Sequence, residues 1–195
     1  VRHFVAAIVF VLFAGATRAE ELHVTIVGDR DDARVSDVRE AVVFWNQQLR
    51  ALGVDVRFGP IVFSDVPVPE EQVALMSERV GVAYVRMPLA LRHVPGDVVI
   101  ALANGEFASF TVPSRGGVAA LIALRRGDVP PLSQPNVARN VIAHELGHVI
   151  GLDHNADPTK LMCGRPAPCR PYSFISSRPH FFPLTAGEKE RLRRR

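Results

Sequence analysis

The stretch from Asn136 to Ile150 constrains this chain more than any other part of it. Its spacing predicts a helix over 137–150, with Asn136 as the residue that caps it. On a wheel of about 100° per residue, Val137, Val141, His144 and His148 fall on one side, and Ile142, Leu146 and Val149 on the other. A helix that is apolar on both sides belongs inside a fold, covered by other elements. The chain must therefore build layers around it, and its two histidines need partners there.

The rest of the sequence supplies those layers. Leu22, Val24 and Ile26 alternate with His23 and Thr25, which reads as a strand closed by Gly28 and Asp29. Residues 33–52 carry Val35, Val38, Val42, Trp45, Leu49 and Leu52 at helical spacing, and Gly53 is placed to end that amphipathic helix. Strand-like runs follow at 54–58, 80–86, 97–103, 107–112 and 118–124, punctuated by Pro60, Pro67, Pro69, Pro88 and Pro95. Beyond Gly151 the pattern becomes irregular, and 185–195 reads as a short last helix. With 48% hydrophobic and 22% charged residues in 195, the chain is neither disordered nor a coiled coil. The expectation is an α/β (α+β) domain over 20–195, with an upper part at about 20–151 and a loop-rich lower part at about 152–195.

Residues 4–16 are an unbroken apolar and small run between Arg2-His3 and Thr17-Arg18-Ala19. This is the layout of a signal peptide cut after Ala19, too short for the ~20 apolar residues that span a bilayer. It predicts a secreted or periplasmic protein with no stable membrane insertion after cleavage. The formal charge of +3 becomes +1 without Arg2 and Arg18, and −3 without Arg191, Arg193, Arg194 and Arg195 as well. The basicity is terminal, so a dedicated nucleic-acid surface is excluded.

Residues 144–154 read His-Glu-Leu-Gly-His-Val-Ile-Gly-Leu-Asp-His. His144 and His148 lie four apart, one above the other on a helix. That spacing suits two nitrogens at ~2.0–2.1 Å from one zinc ion. Glu145 is rotated about 100° away, so it can reach a water without being a ligand. Gly151 stands where the helix must stop, which lets His154 return as a third ligand. Three neutral histidines leave a fourth position open, as in a catalytic zinc site.

This motif resembles that of the metzincin zinc endopeptidases, and its details are most similar to the matrixin branch. Met162, eight residues after His154, stands where the family carries a methionine in a tight turn beneath the metal. The resemblance implies a zincin fold: a twisted mixed sheet, an amphipathic helix, and a buried helix bearing the ligands. It also implies one catalytic Zn2+, polypeptide substrates, and Glu145 as general base. A substrate would pair with an edge strand, either Phe107–Val112 or Val118–Leu124. Pro171-Tyr172 resembles the segment that walls the S1′ pocket in matrixins. Two departures stand out: Asn155 follows His154 where matrixins carry serine, and Gly164 stands where astacins and serralysins carry a tyrosine ligand.

Cys163 and Cys169 have two readings. Export favours a small disulfide loop under the site; the other reading is a Cys163 thiolate that competes for the zinc and holds the enzyme latent. Asp29, Asp31 and Asp32 would suit Ca2+ by ligand type but fall short of a full shell, so calcium is unsupported and a solvated turn is expected. His23, His93 and His180 have no partners at ligand spacing. Two alternatives accompany the endopeptidase reading: a zinc-bearing polypeptide-binding or inhibitory module without turnover, and a zinc hydrolase of a non-peptide bond. The sequence sets no oligomeric state.

Overall fold

The computed structural model describes residues 19–81, 85–164, 169–170 and 178–195. In chain order it runs β1 (Glu20–Val27), α1 (Arg34–Leu52), β2 (Val56–Ser64) and α2 (Glu70–Ser77), then a single 3₁₀ turn at Leu89–Leu91. There follow β3 (Val98–Leu102), β4 (Phe110–Val112), β5 (Ala120–Leu124), α3 (Pro135–Val149) and α4 (Ala186–Arg193). The sheet has the order β2-β1-β3-β5-β4. All neighbours pair in parallel except β4, which runs antiparallel to β5 at one edge. This is the mixed sheet with an amphipathic and a buried helix that the sequence predicts. Among the described residues no helix is long and apolar enough to cross a membrane.

Alternation along the strands divides the apolar side chains between two cores. Val98, Ile100 and Leu102 of β3 face α1 and α3, together with Trp45, Ile142 and Leu146. Val99 and Ala101 face the opposite side, where Val73 and Met76 of α2 and Leu91 cover them. Strands β3 and β5 are buried along their whole length, as strands covered on both faces must be. Helix α1 buries Val35, Val38, Val42, Trp45 and Leu49 as its periodicity predicts, and Gly53 ends it in the left-handed region at φ 70°. Trp45 Nε1 donates to the Ala143 carbonyl at 2.7 Å and so locks α1 against α3.

Several expectations are corrected. Strand β2 passes through Pro60 instead of stopping at 58, because a bulge opposite Leu22–Val24 accommodates the extra residue. Helix α2 is absent from the sequence reading. The strand expected at 80–86 partly lies outside the described residues, and Val80, Gly81, Val85 and Arg86 are not in a strand. Asn136 is not the cap of α3: the helix begins at Pro135, whose fixed φ and missing N–H suit a first turn. Asn136 and Asn140 are instead buried clamps for the later chain. Asn136 Nδ2 donates to Arg178 O, and Asn140 Nδ2 donates to His180 O. Asn140 Oδ1 in turn accepts from the Phe182 N–H.

Candidate metal centre

Helix α3 ends in a Schellman arrangement. The Gly151 N–H donates to His148 O at 3.1 Å and the Leu152 N–H to Gly147 O at 3.0 Å, with Gly151 at φ 83°. This stop swings the chain around so that His154 meets the two helix histidines. The Nε2 atoms of His144, His148 and His154 form a triangle with all three edges at 3.1 Å. Three ligands at ~2.0–2.1 Å in a tetrahedron would stand about 3.3 Å apart, so the triad fits one zinc ion.

The other ring nitrogens of His144 and His148 are engaged as those of a ligating histidine would be. His144 Nδ1 is 2.8 Å from Leu161 O, and His148 Nδ1 is 2.7 Å from Leu152 O. Nδ1–H donation to a carbonyl fixes the tautomer and leaves the Nε2 lone pair toward the centre. Burial, reinforced by the neighbouring His148, pushes His144 down to about 3. His148 and His154 are also lowered, chiefly by burial. All three imidazoles are therefore neutral at pH 7, the protonation state that binds metal.

Glu145 is buried beside the triad, and burial raises its carboxyl to about 7, against a hydrogen bond from Thr111 and the charge of Arg170. Thr111 Oγ1 lies 2.7 Å from Glu145 Oε2 and 3.0 Å from the Glu145 carbonyl. Because Thr111 is on β4, one edge of the sheet is tied directly to the carboxylate. Of the two strands considered as the edge, β5 lies inside the sheet and β4 is the edge.

Beneath the triad, Met162 is fully buried. A Cβ on Gly147 would stand 2.5 Å from Met162 Sδ and 3.1 Å from Trp45 Cζ2, which explains the glycine inside the motif. Cys163 and Cys169 are joined in a disulfide, with Cα atoms 5.5 Å apart. The thiolate reading of Cys163 is thereby replaced by the small loop under the site. Asn155 bonds the Met162 carbonyl through its N–H, and its side chain donates to Glu188 at 2.6 Å, linking the turn to α4. Pro171 and Tyr172 lie outside the described residues.

Thr111 and Arg170 carry no sequence signal of their own. Arg170 Nη1 donates to Leu161 O at 2.6 Å, sharing the acceptor of His144. Of the acidic trio near α1, Asp32 bonds the Arg34 backbone and guanidinium. Burial opposes its ionisation, but these bonds prevail and its pKa is lowered. Asp29 accepts from the Asp31 N–H. His23 pairs with Asp97.

The mixed sheet with a buried helix beside three converging histidines is a fold shared with solved proteins. In particular, archaemetzincin from Methanopyrus kandleri is similar over 93% of this chain and 97% of its own, with a TM-score of 0.56 and 18% identity. Metalloproteinase-II from Bacteroides fragilis is similar over 92% of this chain and 54% of its own, with a TM-score of 0.50 and 17% identity. No protein-family model matches the chain, and no curated protein matches its sequence.

Proposed function

We propose that this chain is an exported zinc-dependent endopeptidase, with His144, His148 and His154 as metal ligands and Glu145 as general base. The observation that carries this reading is the 3.1 Å triangle of Nε2 atoms with the buried Glu145 carboxylate beside it. When bound, zinc supplies Lewis acidity toward a carbonyl and toward water. The chain's own groups do the rest. Glu145 takes a proton from the attacking water and passes it to the leaving amine, a contribution of ~10²–10⁴-fold. Thr111 aims the carboxylate. Strand β4 offers its free edge to an extended substrate segment, which pairs with it antiparallel.

The matrixin-like character rests on residues 144–162, and the export reading on the apolar run 4–16 together with the Cys163–Cys169 pair. Residues 20–195 act as one catalytic domain in this proposal. The test is mass spectrometry of a mixed peptide library incubated with the zinc-loaded chain and with Glu145→Ala. Internal cuts made by the parent and absent with the variant are expected. Identical peptide patterns from the two proteins would overturn the reading.

A further inference from the structure

The cleft at the histidine triad, about 1020 Å³, continues along β4 into a second cavity of about 770 Å³, and the two share Val80, Thr111 and Pro113. Their charges are one-sided. Among the described residues, the second cavity is lined by Arg86, Arg92 and Arg115 and by no acidic residue. The first is lined by Arg125, Arg170, Arg191 and Arg195 against Glu145 and Asp153. Asp153 and Arg191 pair with each other, and Glu145 accepts from the neutral Thr111 hydroxyl, so Arg125, Arg170 and Arg195 face a single carboxyl there. The whole chain holds 23 basic and 20 acidic residues, so the imbalance belongs to the groove. A cleft lined by one sign of charge focuses its field and gathers the opposite charge.

Arg125 is the most pointed of these residues. Its N–H donates to Ser109 Oγ at 3.2 Å, and its carbonyl accepts from Arg34 Nη1 at 2.7 Å, so its backbone is fixed from both sides. Arg125 is among the residues that line the cleft, and its Nε is buried without an acceptor among the described residues. The guanidinium fork suits a carboxylate better than an ammonium does.

The pairing of β4 with β5 sets its position. Phe110 lies opposite Ala123, and extending that register puts Ala108 opposite Arg125. Thr111, which touches Glu145, is three residues further along β4. A segment antiparallel to β4 passes the catalytic pair first and Arg125 afterwards. Resting on the endopeptidase reading, we propose that the groove selects acidic polypeptide segments, with Arg125 holding a carboxylate on the C-terminal side of the cut bond. The open edge of β4 and the apolar walls at Val80, Val85 and Met87 favour a peptide over another polyanion.

The test uses zinc-loaded Glu145→Gln chain and fluorescence anisotropy with short Asp/Glu-rich peptides and their Asn/Gln counterparts. The acidic peptide is expected to bind about tenfold more tightly, an advantage that shrinks as salt rises. Arg125→Gln reduces the acidic-over-neutral ratio to about twofold or less, and Arg125→Lys keeps part of it. Arg50→Gln, on the exposed end of α1 outside both cavities, retains the full ratio. Equal affinities, a ratio that survives Arg125→Gln, or equal binding of a single-stranded oligonucleotide would each overturn the proposal. Library cleavage by the parent separates the two readings. Cuts without acidic enrichment on the C-terminal side sink the groove proposal alone, whereas selective acidic binding without cuts sinks the peptidase reading alone.

Discussion

At one edge of the sheet β2 runs for nine residues, and at the other β4 runs for three. Length would make β2 the better template for a pairing segment, yet it is the edge that is blunted. Its bulge interrupts the ladder, Pro60 offers no N–H, and Arg57 pairs with Glu21. These are the usual defences of an edge against association. Strand β4 carries neither bulge nor proline within its span and touches α3 through Thr111. Among the described residues, pairing is thus left open at the edge beside the histidine triad and blunted at the other.

The strongest way to break this contrast is to unseat the helix beneath β4. Gly147→Ala puts a methyl where Met162 and Trp45 already stand, and Trp45 is held in place by its bond to Ala143. A cost of about 3 kcal/mol is expected, at the upper end for overpacking, readable as a fall in the denaturant midpoint with weaker zinc binding. Next in size is the β4 edge itself. Thr111→Val removes the hydroxyl on Glu145 and, on the general-base reading, lowers kcat by up to roughly 10²-fold, the low end of what general acid–base help supplies, while Thr111→Ser restores it and KM moves little. Val62→Thr, at an exposed β2 position, leaves turnover as it was. Equal losses at the two edges would erase the distinction.

A smaller effect is expected away from both edges, in α1. Burial pushes Asp37 from 3.8 up to about 6, with Arg139 opposing and Glu40 adding to the rise. The charged form is therefore the costly one in the folded chain. The penalty is absent below about pH 3.8, grows between 3.8 and 6, and is complete above 6. Asp37→Asn should raise stability at pH 7 by about 1 kcal/mol, the shift at 1.36 kcal/mol per unit being discounted for partial exposure and solvent screening, and leave it unchanged near pH 3. Denaturant titrations across that range check the sign. The smallest effect concerns the blunted edge. Pro60→Val restores an N–H at a cost below about 1 kcal/mol, and light scattering should detect concentration-dependent association.

What the sequence made legible was what repeats at short range. The α1 stripe from Val35 to Leu49 and the ligand run from His144 to His154 are periodic or closely spaced, and each lies where its spacing predicts. Met162 was readable from its distance to His154. Thr111 was not, because it meets Glu145 across 34 residues and only the sheet order brings them together. Helix α2 escaped notice because it is short, lies behind Pro67 and Pro69, and buries only Val73 and Met76. Asn136 misled for a chemical reason: an amide that suits a helix cap also suits a clamp for the chain returning at Arg178 and His180.

Arg34 gives the assembly of this fold an order in time. Its Nη1 lies 2.7 Å from Ala103 O, 3.0 Å from Leu124 O and 2.7 Å from Arg125 O. Those acceptors are 69, 90 and 91 residues further along the chain. They come together only once β3 and β5 lie side by side, so these three bonds cannot form until the far half of the sheet has. If such long-range contacts are absent from the folding transition state, their loss acts on the rate of unfolding more than on the rate of folding. Arg34 is thus a latch that waits for the paired strands, and it closes over the same strand end that positions Arg125.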